Sequence, residues 1–230
     1  MPRTPGYVAQ NRILIYNDGE EAIPPFAVVK PTGTQWSNNL LALQAAQPDE
    51  TFVQKYYING PTTIGSDTGY GAAISDGEWP FWAQYNSSAG TPAYGQVWGP
   101  KAGEWTLEPN RPGFVIVGQP QSIGSGDAAL NLVAVRPYEV TQIWVKLNAA
   151  LSQGGKLANQ PIYTGKPAGE SGGGESDSGL VLPWLYDRLI DADSESGWEL
   201  PSGAWVLAAW IDGYWYAVES SKCAIPPTGS

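Results

Sequence analysis

Glu78 and Glu104 are the carboxylates best placed to do chemistry, because each sits beside a tryptophan, Trp79 and Trp105. Two carboxylates flanking a sugar ring can hydrolyse a glycosidic bond without any help from histidine. Both also follow a turn glycine, where a polar residue is expected for conformational reasons alone. Asp191-x-Asp193-x-Glu195 starts like a calcium-binding EF-hand loop, with Asp187 and Glu199 nearby. Its glycine comes at the seventh position, and Ser202 stands where the bidentate ligand belongs. Gly169-Glu170-Ser171-Gly172-Gly173 has the spacing of a nucleophile elbow but lacks the flanking strand, helix and histidine base. These patterns yield no catalytic residue, no metal site and no cofactor site.

The composition points the same way. The 230 residues include no histidine and one cysteine, but 11 tryptophans and 12 tyrosines. Histidine is the usual proton shuttle near neutral pH, and cysteine supplies thiolate nucleophiles and zinc ligands. Large amphipathic aromatics instead supply packing and contact surface. The chain therefore reads as a binding or structural protein and not an enzyme. Its formal charge of −10 repels phosphate backbones and anionic lipid, so neither nucleic acid nor membrane is expected as a partner. No stretch is apolar for the ~20 residues a bilayer requires. Met1 to Gln10 carries no secretory-type hydrophobic region, so synthesis in a cytoplasm is expected. Cys223 has no internal partner and reads as a buried, inert thiol.

The elements that would position such a surface are strands. Glycine and proline punctuate the chain throughout and leave little room for helix. Short β-branched and aromatic runs lie between them: Arg12–Tyr16, Ala27–Lys30, Leu40–Ala45, Phe52–Ile58, Phe114–Val117 and Leu130–Arg136. The expected class is all-β, an antiparallel sandwich or barrel modules with little or no helix; Leu182–Ile190 is the one helical candidate. Pro137 and Tyr138 mark a boundary between an N-terminal β domain, 1–138, and a small C-terminal one, 139–230. The Gly/Ser-rich segment 165–179 reads as a long hairpin loop within the second.

Asp-Gly pairs at 18–19, 76–77 and 212–213 suit type I′ hairpin turns, which need positive φ at both central residues. At Asp76-Gly77 the hairpin would join Tyr70–Ser75 to Glu78–Tyr85. At Asp212-Gly213 it would set Ile211 opposite Tyr214, Trp210 opposite Trp215 and Ala209 opposite Tyr216. Both faces of that hairpin are apolar, so it is either central to its domain or covered by another subunit. Trp205, Trp210, Tyr214, Trp215 and Tyr216 are the candidate interface. Gly-x-Trp recurs at Gly77, Gly103, Gly203 and Gly213 with irregular spacing, as a local device in which glycine turns the chain and tryptophan opens a strand. Trp79, Trp82, Trp98 and Trp105 form an alternative site, a stacking platform for glycans.

Five segments resemble virion-associated structural proteins of tailed bacteriophages. They are Tyr16–Pro24, Tyr57–Pro61, Gly69-Tyr70-Gly71, Trp98–Lys101 and Arg111–Phe114. The resemblance covers about the first 120 residues and consists of turn chemistry. It implies a structural role in the virion, as a decoration or cement protein on the head or as part of a fibre or tail. The partners implied are further copies of the chain (a homo-oligomer, with a trimer as one form) and the major capsid protein or other virion proteins. The alternative function is a carbohydrate-binding or receptor-binding module of a fibre.

Overall fold

The computed structural model describes residues 11–37, 40–66, 69–76, 80–126, 129–138, 140–165, 167, 176–189, 198–223 and 225. The described residues are all-β, as the glycine and proline punctuation requires. They fall into two compact units. One comprises Met1–Pro48, Lys55–Pro109 and Gly113–Tyr138; the other comprises Asp49–Gln54, Asn110–Pro112 and Glu139–Ser230.

The first unit holds two sheets. Strands β1 (Asn11–Asn17), β2 (Val28–Ser37), β3 (Leu40–Ala46), β4 (Tyr57–Asn59) and β5 (Tyr70–Asp76) close a barrel around Ile15, Ile23, Val29 and Ile64. Strands β6 (Phe81–Gln84), β7 (Val97–Pro100), β8 (Leu107–Pro109), β9 (Phe114–Ile116), β10 (Gln121–Ile123) and β11 (Leu130–Pro137) make a six-stranded sheet. Its ends meet through a single parallel bridge, Tyr85 to Leu107, so it too curls round a core of Trp98, Phe114 and Leu132.

The second unit closes another barrel from β12 (Gln142–Lys146), β14 (Lys156–Thr164), β15 (Ser176–Tyr186), β17 (Trp205–Ile211) and β18 (Tyr214–Ser220). The short strands β13 (Leu151–Ser152) and β16 (Glu199–Leu200) pair beside it. Phe52 joins this unit: its N–H donates to the Val181 carbonyl at 2.8 Å and its ring meets Trp215 edge-on.

All three rings have one connectivity. In each, a first strand runs parallel to a third, which pairs with the second; the second pairs with a fourth, the fourth with a fifth, and the fifth with the first. The strands filling these places are β1 to β5 in the first ring and β6, β7, β8, β9 and β11 in the second. In the third they are β15, β17, β18, β12 and β14. The third ring is thus a circular permutation of the others: its fourth and fifth strands come first in the chain. In that chain order the connectivity is that of an OB-type Greek-key barrel.

Local chemistry repeats with the topology. A Tyr-Asx pair lies at the end of each first strand: Tyr16-Asn17 closes β1, Tyr85-Asn86 follows β6, and Tyr186-Asp187 straddles the end of β15. The Asn or Asp side chain then accepts the N–H two residues on, from Gly19, Ser88 and Leu189, each at 3.0 Å. The second strand is approached through Pro24–Ala27, Ala93–Gln96 and Pro201–Ala204. In each turn the first carbonyl accepts the fourth N–H, at 3.4, 3.1 and 3.2 Å. The third residue has positive φ: 58° at Phe26, 83° at Gly95 and 78° at Gly203. That is the geometry a type II turn demands, met by glycine twice and by phenylalanine once, at a steric cost.

Several expectations need correction. Leu182–Ile190 is not helical, since β15 runs through Tyr186; Pro183 and the buried Leu182 and Leu185 suit a barrel wall. Tyr70–Ser75 and the described part of Glu78–Tyr85 do not pair as the expected hairpin, because β5 pairs with β1 and β4 whereas β6 pairs with β11; Gly77 lies outside the described residues. Asp18-Gly19 carries no positive φ and belongs to the Asx turn of Asn17. Phe52–Ile58 is not one strand; the chain passes between units there, and only Tyr57–Asn59 is extended and paired. By contrast, Asp212 and Gly213 have φ of 50° and 90°, and the hairpin has the expected register from Ala209 to Tyr216. β14 and β15 pair antiparallel up to Thr164 and Ser176, and most of the glycine-rich segment between them lies outside the described residues. Cys223 is exposed and not buried.

Candidate functional site

The five aromatics of the expected interface separate into an inside and an outside group. Trp205 is fully buried, with Tyr163 edge-on at 4.7 Å and the Lys146 ammonium 5.2 Å from its ring. Trp215 is also buried, between Phe52 and the half-buried Trp210. These three are occupied by their own chain, because the hairpin is a central part of a closed barrel. Tyr214 and Tyr216 face outward.

Around those two tyrosines lies the most developed aromatic surface among the described residues. The type I′ turn at Asp212-Gly213 starts β18 at Tyr214, which is 51% exposed. Tyr186 at the end of β15 pairs with Tyr216 of β18 and Lys156 of β14, which brings the three side chains together. The ring centroids of Tyr186, Tyr214 and Tyr216 lie 5.4, 5.9 and 6.4 Å apart. Trp184, two residues before Tyr186 and 46% exposed, extends the surface. The Lys156 ammonium sits 4.1 Å from its ring centroid and 5.9 Å from that of Tyr186; the Arg188 guanidinium is 5.6 Å from Tyr216. Such contacts are worth about 0.5–1 kcal/mol each at exposed sites and hold both cations over the rings.

Asp187 braces this face from behind. One carboxylate oxygen accepts the Gly154 N–H at 2.8 Å, and the other closes the Asx turn to Leu189. The loop before β14 is thereby fixed to the end of β15. The resulting surface can stack against a flat or ring-shaped group and attract a negative one. The sequence singles out Tyr214 and Tyr216 of this face but not Trp184, Tyr186, Lys156 or Arg188. The available signal was the alternation of Trp184 and Tyr186 after a proline that argues against helix.

The described members of the alternative platform, Trp82, Trp98 and Trp105, are not all exposed. Trp98 is 1% exposed and donates its indole N–H to Gln96 Oε1 at 3.0 Å. Trp105 packs against the core of the first barrel, and its carbonyl accepts the Val28 N–H at 2.9 Å. Trp82 is the most exposed of the described three, and Trp79 lies outside the described residues. Glu78 also lies outside them, as do Asp191, Asp193 and Glu195. Glu104 closes a turn back to the Lys101 carbonyl. The carboxylate that the second ring does bury is Glu108, held by Lys101 Nζ at 3.2 Å and Asn86 Nδ2 at 2.8 Å. This arrangement is a structural clamp.

A second exposed surface is the tip of the β2–β3 hairpin. Trp36 and Leu41 face each other across the strands and are 70% and 52% exposed. No protein family, no curated protein and no solved structure matches the chain.

Proposed function

We propose that this chain is a structural protein of a tailed-bacteriophage virion, of the head decoration or cement type, made in the host cytoplasm and working through protein–protein contact. The observation that carries the proposal is the aromatic and cationic face of the third barrel. Tyrosine, tryptophan and arginine are the residue types that dominate protein interfaces. Here they crown a barrel whose own core is already filled. The resemblance of Tyr16–Pro24 and the other turn segments to phage virion proteins supplies the setting. In a multi-copy shell a modest contact gains strength from effective concentration. The OB-type connectivity adds nothing to this choice, because one fold serves many functions.

Heads lacking the protein, mixed with the purified chain, provide the test. Binding and a raised temperature of head disruption are expected. Trp184→Ala with Tyr214→Ala should weaken that binding about 100-fold while leaving the fold intact, as both side chains are half exposed. Failure of the unaltered chain to bind at any concentration would sink the proposal.

One observation favours a second reading, a saccharide-binding module: Lys156 lies over Trp184, which suits a sugar ring carrying an acid group. A screen against acidic and neutral oligosaccharides addresses it. Retention of an acidic glycan, lost in Lys156→Met and Trp184→Ala but not in Trp82→Ala, would favour that reading over attachment to the head.

A further inference from the structure

Two of the three rings set a tyrosine in the middle of the same lateral row of residues, and the charges beside the two rows are opposite. In the third ring the row is Lys156, Tyr186 and Tyr216, read from the fifth strand through the first to the third. In the first ring the same three places hold Tyr70, Tyr16 and Gln44. The rings of Tyr16 and Tyr70 lie 5.1 Å apart, and Tyr70 is 43% exposed. At the matching place in the second ring, Tyr85 instead lies edge-on to the buried Trp98.

The Asx corner after each tyrosine brings the charges to the row. Asn17 accepts the Gly19 N–H and donates to the Glu21 carbonyl at 2.7 Å, which folds residues 18–21 back over the end of β1. Asp18, Glu20 and Glu21 are all exposed there. Gln44 Nε2 donates to Asp18 Oδ1 at 3.2 Å and so ties that carboxylate to the row. In the third ring the charges are cations: Lys156 lies over Trp184 and Tyr186, and Arg188 lies by Tyr216. Of the acids on this side, Asp187 is engaged by the Gly154 and Leu189 N–H groups, and Asp212 stands in the turn before Tyr214. One face is thus aromatic and acidic, the other aromatic and cationic.

We propose that the Lys156–Tyr216 face of one copy of this chain docks on the Tyr16–Tyr70 face of a second copy. Charge complementarity selects this occupant. With a formal charge of −10, copies repel each other on random approach. Lys156 and Arg188 give an acidic copy a place to approach, and Asp18, Glu20 and Glu21 give those cations their counterpart. Aromatic side chains on both sides supply contact area of the kind that dominates interfaces. The two faces are unlike, so copies join head to tail, around a closed ring or along a filament. The inference rests on the proposed contact role of the third barrel's face and names its partner, and the purified chain alone tests it.

Sedimentation of the full chain across a dilution series should show a mass that rises reversibly above the monomer. Two double variants then separate the faces. Lys156→Ala with Trp184→Ala removes the cationic face, and Glu20→Ala with Tyr70→Ala removes the acidic one. Each should weaken association about 100-fold. Their equimolar mixture should form a heterodimer and nothing larger, because each variant keeps the face that the other lacks. All four side chains are exposed, so both variants should keep the melting temperature of the parent at concentrations where all are monomeric. Trp82→Ala, at an exposed tryptophan elsewhere, should leave association unchanged. A parent that stays monomeric at every concentration overturns the proposal, whether or not its cationic face retains an acidic oligosaccharide. So does a mixture that stays monomeric, or a variant that associates as strongly as the parent. Head-to-tail association without binding to heads would retain this inference and reject the virion reading. Binding to heads by a chain that stays monomeric in solution would do the opposite.

Discussion

Trp98→Ala should destabilise the first unit by about 3–5 kcal/mol, the usual cost of truncating a fully buried tryptophan. That corresponds to a fall of about 10 °C or more in its melting temperature. Trp98 fills the second ring, edge-on to Tyr85 at 6.0 Å, with its N–H on Gln96 Oε1. The same oxygen accepts the Ala93 N–H at 3.0 Å, so the indole also steadies the turn that opens β7. Trp82→Ala, on the outer side of β6, should cost less than about 1 kcal/mol. Thermal melts of the two variants beside the parent decide the matter. Equal, small losses would mean that Trp98 is not the core residue described. The contrast also governs how binding data are read. Loss of any activity in Trp98→Ala would report damage to the ring, whereas loss in Trp184→Ala would report the surface.

What could be read from the sequence was whatever is decided within a few residues. The Asp212-Gly213 turn and the register of its hairpin follow from the φ tolerance of two residues and the two-residue period of a strand. Strands such as β1, β3, β9 and β11 were visible for the same reason. The three-fold repeat was not visible, because it lives in pairings between distant residues. Its sequence trace is only a Tyr-Asx pair followed by a type II turn. Pro24 lies eight positions after Tyr16 and Ala93 eight after Tyr85, but Pro201 lies fifteen after Tyr186. Circular permutation of the third ring hides the trace further. The aromatic face suffered likewise: Tyr214 and Tyr216 stand on the expected hairpin, but Lys156 lies 58 positions before Tyr214 (214 − 156) and joins it only through closure of the barrel. The interface reading failed at Trp205 and Trp215 because an apolar hairpin in the middle of a barrel and one at a subunit contact have the same sequence pattern.

The repeated Tyr-Asx corner gives the second large prediction. Asn17→Ala should cost about 2–4 kcal/mol, because it removes a fully buried amide and its three bonds to backbone groups at once. Asn17 is completely buried. Its Nδ2 donates to the Glu21 carbonyl at 2.7 Å and the Gly65 carbonyl at 2.9 Å, and its Oδ1 accepts the Gly19 N–H. Asn17→Asp should be nearly as costly, because it keeps the bond to Gly19 but turns an acceptor toward two carbonyls. The corresponding residues share the local turn and differ in their second bond. Asn86 reaches the Glu108 side chain, and Asp187 reaches the Gly154 N–H from a more exposed position. Asn86→Ala and Asp187→Ala should therefore each cost only about 1 kcal/mol, since water can replace what is lost. Denaturant melts of the three variants test this ranking. A loss at Asn17 no larger than at Asn86 would show that the common turn, and not the long-range bond to Gly65, carries the stability. Asp187→Ala has a further consequence. It frees the loop before β14 from the end of β15, so binding by the aromatic face should weaken more than global stability falls. Burial thus sets the energetic value of each corner, and its second bond determines which loop the corner holds.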